Sequence, residues 1–338
     1  MRAWRLTAPG KIELVDMDSQ PVGAGCVKIK LRYSAISASD LMAYDGKVPF
    51  DVPLIPGRQG IGMVTEVGEG VKNVVRGDIV AIRPFSVCDG CLMCKKGDFE
   101  LCENKLVRGV NEDGCLSDFA VVSAADVYKL PERIDKKNAL LLEHVDIAIS
   151  IINKLKLERG EHIVIAGASY LGITIAQLAM SYQAVPIIVD VDDEKLAEAA
   201  KYVYYAFNYS QVDIRKKVLT LTGGRMSEMG VHLHSSALPI NQTLALVGKS
   251  GRVAIAGWEN SVNLSGMDGE QILDKQLTVV GINGSNNNFP AAINMMVNHT
   301  VKMDFDKLPE VSFADVGELF KNQKRIENRF IYTRVVME

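Results

Sequence analysis

The chain has 338 residues, of which 48% are hydrophobic and 23% charged, and a formal net charge of −3 at neutral pH. That length suits two domains better than one, and each half can bury a core. The near-even charge offers no basic surface for nucleic acid, no uncharged stretch approaches the roughly 18 residues of a membrane span, and the opening MRAWRLTAPGKIELVD has no apolar export core, so a cytoplasmic protein acting on a small molecule is expected.

Residues 1 to 148 read as all-β. Short strand-like runs, Ile12 to Val15, Val27 to Tyr33, Gly62 to Val67, Ile79 to Ile82 and Ser117 to Val122, alternate with turns rich in Gly, Pro, Asp and Asn. Four of the six cysteines crowd into this part as Cys88, Cys91, Cys94 and Cys102, a C-x₂-C-x₂-C-x₇-C pattern on a loop with Gly90 and Gly97. Four thiolates on such a loop close a tetrahedral shell around zinc and leave no position open for substrate, so the site is expected to hold shape only. An iron–sulfur cluster also takes four cysteines, at other common spacings. Cys26 and Cys115 stand alone and read as buried thiols.

From about Ala148 strands and helices alternate. Ile163 to Ala166, Pro186 to Val189, Val231 to His234, Arg252 to Ala256 and Thr278 to Gly281 read as strands of a parallel sheet. The first two, with an apolar helical run from Ile173 to Met180 between them, form a βαβ unit of roughly thirty residues. Its turn carries the places of a G-x-G-x-x-G fingerprint: Gly167 first, Ser169 second, Gly172 third, with Tyr170 and Leu171 between. Such a turn presents backbone N–H groups and a helix N-terminus to a pyrophosphate. Asp190, about twenty residues on, is placed to bond a ribose diol and repel a 2′-phosphate, which argues for NAD(H) over NADP(H). The alternative is an ordinary βα turn without a ligand. Beyond Gly281 lie the polar loop Asn286 to Asn288, a helical segment Ala291 to Val297 and a strand-like tail Phe330 to Val336.

Taken together, the cysteine lobe, the nucleotide motif and the stretches PLIPGRQGIGMVTEVGEGV, GDIVAI, DGCLSDFAVV and GRVAIAGW resemble the zinc-containing medium-chain dehydrogenase/reductase superfamily, in its polyol, threonine and alcohol dehydrogenase branch. The resemblance implies a GroES-like catalytic domain over 1–148 with a structural zinc lobe at 88–102. It implies a Rossmann NAD-binding domain over 149–284 and a return of the chain to the first domain over 285–338. It also implies a cleft between the domains and a homodimer or homotetramer.

Two motifs depart from that family. Members that oxidise alcohols hold a catalytic zinc with the cysteine of a C-G-S-D-like motif and the histidine and glutamate of a G-H-E motif. Here the first reads Ser37-Ala38-Ser39-Asp40 and the second Gly57-Arg58-Gln59. A serine, a cation and an amide do not hold Zn²⁺, and Arg58 repels it. Glu143 matches a further position that some members use as a ligand, followed by His144 where proline is usual. No catalytic zinc is therefore expected. Arg58 needs a carboxylate, Asp40 or Glu143, and either fills the metal's place as an ion pair or polarises a substrate oxygen as zinc would.

For other residues two readings stand side by side. Ser39 matches the family's proton-relaying hydroxyl, or caps a helix. Tyr44 donates to an oxyanion, or is a packed aromatic. His144 is a general acid, or a bonded histidine at the domain joint. His232 and His234 form a metal pair, or pack in a sheet. The reaction expected is hydride transfer between NAD(H) and an electrophilic acceptor, an activated C=C, an iminium or a polarised ketone. A retired enzyme that keeps the fold for binding or scaffolding is the first alternative, and an ordinary zinc alcohol or polyol dehydrogenase the second.

Overall fold

The computed structural model describes residues 1–47, 50–233, 236–257, 264, 266–302, 308–322 and 332–337. They fall into two compact units, one comprising Met1–Glu143 with Met303–Glu338 and the other His144–Lys302.

In the first unit the long strand Cys26–Ser37 organises a seven-stranded sheet. Along it Val27, Ile29 and Leu31 are buried while Lys30 and Arg32 are exposed, the period of two that lays one strand face on a core. Gly60–Val67 and Phe119–Ser123 pair with it antiparallel, as does Tyr332–Val336, which aligns Tyr332 with Ser37. A hairpin of Arg2–Ala8 and Lys11–Asp16 adds Trp4 and Leu6 to a second core that includes Ile36, Leu41, Phe313 and Phe320. This packing fixes the end of Cys26–Ser37, and with it Ser37 and the helix Ala38–Tyr44.

At the base of the cysteine-bearing loop the short strands Phe85–Ser86 and Leu106–Val107 pair. Beneath them Asp126, 2% exposed, accepts from Arg83 Nη2 at 2.5 Å and from Arg108 Nη2 at 2.8 Å. Both guanidiniums are buried, and Asp126 together with Glu112, whose Oε2 lies 2.9 Å from Arg108 Nη1, supplies the carboxylates for charges that would otherwise be costly in the interior.

The second unit is a six-stranded sheet whose pairs are all parallel. The spatial order is Tyr205–Asn208, Val185–Asp190, His162–Ala166, Ser227–Leu233, Val247–Ala256, Thr278–Ile282. Ile163 to Ala166 and Ile187 to Val189 are fully buried, as apolar strands covered on both faces are. Strand order reverses between His162–Ala166 and Ser227–Leu233, and a doubly wound sheet binds ligands at the carboxyl ends of the strands beside such a reversal.

The units divide at 143/144 and 302/303, not at the expected 148/149 and 284/285. Side-chain ties account for the later boundary. Gln177, on the helix Tyr170–Ser181, donates to the Lys302 carbonyl at 2.7 Å and accepts from its N–H at 2.8 Å. Fully buried Asp146 accepts from the backbone N–H groups of Asn286 and Asn288, at 3.1 and 3.0 Å, so the asparagine loop is anchored and not merely polar. The tail strand is described from Tyr332; its expected first residue, Phe330, lies outside the described residues.

Candidate active site and metal centre

The four clustered cysteines meet. The sulfurs of Cys88, Cys91, Cys94 and Cys102 all lie within 4.8 Å of one another. Cys91 caps the helix Leu92–Lys96, its sulfur accepting from the Cys94 N–H, and Gly97 closes that helix in the left-handed region at φ 82°. A tetrahedral Zn–S shell with bonds near 2.3 Å sets its sulfurs about 3.8 Å apart, so a small closure brings the set onto zinc. Backbone N–H groups of Gly90 and Cys91 lower the Cys88 thiol to about 6, toward the thiolate that zinc binds. The donor set fits a closed structural zinc.

A second cluster in the same unit gathers the substituted motifs. Ser37 ends the strand Cys26–Ser37, Ser39 and Asp40 lie in the first turn of Ala38–Tyr44, and Arg58 and Gln59 immediately precede the strand Gly60–Val67. Glu143 lies in the first turn of the helix Leu142–Leu155. Arg58 Nη2 donates to Glu143 Oε1 at 2.8 Å, and Gln59 Nε2 donates to Glu143 Oε2. Each oxygen of this 7%-exposed carboxylate therefore holds one donor. Arg58 Nε and Gln59 Oε1 are buried without a hydrogen-bond partner among the described residues.

Of the two carboxylates open to Arg58, Glu143 takes it and Asp40 bonds elsewhere. Asp40 Oδ2 accepts from the Ser37 N–H at 2.8 Å and the Ser37 hydroxyl at 2.6 Å, and Oδ1 accepts from the Gly57 N–H at 2.9 Å. Burial raises the Asp40 pKa above its ordinary value, against these bonds and the weaker pull of the Arg58 charge. Ser37 Oγ also lies 2.8 Å from Ser39 Oγ. Gly57, at φ 91°, makes the turn that aims its N–H at Asp40; a Cβ there would press on Leu116 at 2.9 Å and on Ser34 at 3.0 Å. A fixed cation with a neutral serine and an amide is a poor donor set for Zn²⁺, so the residues at this place do not fit that metal.

Sequence reasoning missed Lys105. Burial, then the neighbouring Arg58 charge, lowers its pKa, while Glu100 and Glu143 raise it. Its Nζ donates to the Glu100 carbonyl at 3.1 Å and lies 5.5 Å from the centre of the Phe85 ring. A lysine inside a cysteine loop carries no pattern that announces such a position. Tyr44 packs its ring 5.4 Å from that of Phe320. His144 belongs to the second unit and is half-buried there. His232 is buried, Nδ1 lying 3.0 Å from Thr243 Oγ1 in the sheet; His234, its expected partner, lies outside the described residues.

The second unit holds the phosphate turn. Gly167 has φ 120° and donates to the Val189 carbonyl at 2.9 Å. A Cβ on Gly172 would lie 2.0 Å from the Gly167 carbonyl, so only glycine allows this helix to start so near the strand. Ser169 adopts φ −73°, free of strain, and caps the twelve-residue helix Tyr170–Ser181 by accepting from the Gly172 N–H at 3.4 Å. Asp190, 4% exposed, accepts from Ala168 N–H on Oδ2 at 2.7 Å and from Val191 and Asp192 N–H on Oδ1 at 2.7 and 3.1 Å. Of the roughly four acceptor sites of a carboxylate, the one left is on Oδ2. The cradle fits a dinucleotide, with Asp190 already bound to the turn it serves.

Two family models match the chain, an alcohol dehydrogenase GroES-like domain over residues 23–132 and a zinc-binding dehydrogenase over 171–298. An L-threonine 3-dehydrogenase of Pyrococcus furiosus is 31% identical over 80% of this chain and 79% of its own. An uncharacterised zinc-type alcohol dehydrogenase-like protein of Haemophilus influenzae is 29% identical over 98% and 99%. Among solved structures, the alcohol dehydrogenase of Thermus sp. ATN1 superposes with a TM-score of 0.88 at 20% identity, covering 100% of both chains. The rspB dehydrogenase of E. coli CFT073, solved with NADH, has a TM-score of 0.87 at 24% identity and covers 99% of both.

Proposed function

Since this chain belongs to the zinc-containing medium-chain dehydrogenase/reductase superfamily of oxidoreductases, we propose that it is an NAD(H)-dependent reductase that works without a catalytic zinc. Its substrate is a small molecule with an electrophilic acceptor, an activated C=C, an iminium or a polarised ketone. NADH, held at Gly167 to Gly172 and Asp190, supplies the hydride. The observation that carries this reading is the Arg58–Glu143–Gln59 cluster, which sets a cation where the family's metal-binding motif stands. Arg58 keeps Nη1 outside its bond to Glu143, a donor for an oxygen that gains negative charge. Ser39, half-buried on the first helical turn, is the hydroxyl for the proton. Cys88, Cys91, Cys94 and Cys102 hold one structural zinc and no step passes through it.

Without a Lewis acid to lower an alcohol's pKa, oxidation of simple alcohols is slow. The test is a substrate panel: NADH with enones, cyclic imines and activated ketones, against NAD with simple alcohols and polyols. NADH oxidation confined to the electrophiles supports the proposal. Alcohol oxidation that a chelator abolishes while the fold stays intact would overturn it in favour of an ordinary zinc dehydrogenase.

The Ser169 cap and the three N–H groups on Asp190 favour a second reading, a catalytically retired binding protein, because both occupy groups that a dinucleotide uses. Absence of any NADH binding decides for it.

A further inference from the structure

Three oxygens in the first unit form an unbroken line. Asp40 Oδ2 lies 2.6 Å from Ser37 Oγ, and Ser37 Oγ lies 2.8 Å from Ser39 Oγ. The line runs outward, since Asp40 is 1% exposed while Ser37 and Ser39 are half-buried.

Counting hydrogens shows that this line has two states. Ser37 carries one hydroxyl hydrogen. With Asp40 ionised, that hydrogen goes to Oδ2, Ser39 must donate to Ser37, and Ser39 has no proton to offer outward. With Asp40 protonated, Oδ2–H donates to Ser37, Ser37 donates to Ser39, and the Ser39 hydrogen points outward. The Ser37 and Gly57 N–H bonds fit both states, because Oδ2 keeps a lone pair for the one and Oδ1 accepts the other.

We propose that Asp40, Ser37 and Ser39 form a proton relay in which the interior carboxyl delivers, through two hydroxyls, the proton taken up by the reduced substrate. This rests on the reductase reading above. An iminium is neutralised by the hydride itself and draws no proton from the relay. With NADH bound, hydride addition to the acceptor carbon of a ketone or an activated C=C would displace an electron pair onto the oxygen or the α-carbon. That atom takes the Ser39 proton, Ser39 takes the Ser37 proton, and Ser37 takes the proton of Asp40 Oδ2, leaving a carboxylate. After product leaves, water recharges Asp40 through the same oxygens in reverse. Ser37 makes this possible, because a zinc-bound cysteine thiolate at that position would have no proton to pass. Asp40 acts through the serines and is a positioning residue.

Burial holds the Asp40 carboxyl above its ordinary range, as a proton store requires. The groups that face it are the Ser37 hydroxyl and N–H, the Gly57 N–H, the Arg58 guanidinium and the Cys115 thiol. Burial pushes that thiol up to about 12, so it stays neutral.

Infrared spectroscopy of the full-length, zinc-loaded chain without nucleotide tests the relay. The carbonyl stretch of protonated Asp40 is assigned by its loss in Asp40→Asn or its shift in Ser37→Ala. The relay requires this band to persist above the ordinary aspartate range. It also requires deuterium exchange at the carboxyl, after mixing into D₂O, to slow roughly 100-fold in Ser37→Ala. Ser39→Ala, at a half-buried helix position, slows it likewise and decides the matter if Ser37→Ala does not fold. A band that titrates in the ordinary aspartate range, or exchange at the unaltered rate in either serine variant, overturns the relay and leaves Asp40 a structural cap. No NADH is present, so that failure leaves the reductase reading standing, whereas failure of the reductase reading appears separately as lack of NADH turnover.

Discussion

Arg58 Nη2 lies 2.8 Å from Glu143 Oε1, joining two residues 85 positions apart. Their side chains are 21% and 9% exposed, so the pair is largely removed from water. Arg58→Ala leaves the Glu143 carboxylate with Gln59 alone and is expected to cost about 2 kcal/mol, less than a fully buried pair because Arg58 is partly solvated. Chemical denaturation measures this, and Glu143→Gln in the same chain should restore part of it. Arg58→Lys keeps the charge but loses the planar fork, so stability recovers more than turnover.

Asp40 sets a pH dependence of stability whose sign can be worked out. Its folded pKa is raised above the ordinary 3.8, so between that value and the folded pKa the native state binds more protons than the unfolded one. Stability from this group therefore grows as pH falls through the window and is lost as pH rises through the folded pKa. Denaturation midpoints followed from neutral to about pH 4 should show the native chain gaining relative to Asp40→Asn. A pH-independent difference would contradict a raised Asp40.

Ser169 offers a separable test of the nucleotide turn. Ser169→Ala removes the cap of a twelve-residue helix and should lower stability by about 1 kcal/mol, whereas Ser169→Gly costs only a few tenths. Ser169→Gly also frees the Gly172 N–H, so NADH should bind several-fold tighter by fluorescence titration. An unchanged affinity would show that the serine does not compete with the pyrophosphate.

Asp126 tests the frame beneath the zinc lobe. Asp126→Asn removes the carboxylate that the buried Arg83 guanidinium bonds and leaves Arg108 with Glu112 alone, and a loss of about 3 kcal/mol is expected in denaturant unfolding.

The parts legible in the sequence were those carried by local pattern. Ile163 to Ala166 and Ile187 to Val189 announced buried parallel strands because they are apolar on both faces, and Cys88, Cys91, Cys94 and Cys102 announced a metal site by spacing alone. Ser37, Arg58, Gln59 and Glu143 were legible as one site only through family motifs. What stayed hidden depends on where loops come to rest. Arg58 faced a choice of Asp40 or Glu143 that only the turn at Gly57 decides, by giving Asp40 its N–H. Asp126 with its two arginines, Asp146 with the asparagine loop, and Lys105 beside Arg58 join segments whose separation in sequence leaves no periodic trace. The hairpin strand Arg2–Ala8 escaped because RAWRLTA alternates weakly, and the second unit reached Lys302 because Gln177 holds both backbone groups of that residue.

The most direct measurement is zinc per subunit on the purified chain, taken together with an NADH titration. Loss of the catalytic metal with retention of the cofactor predicts about one zinc, removed by substituting Cys88 or Cys102 and untouched by Glu143→Ala, with saturable NADH binding. Two zincs per subunit, one of them lost in Glu143→Ala, would contradict the account.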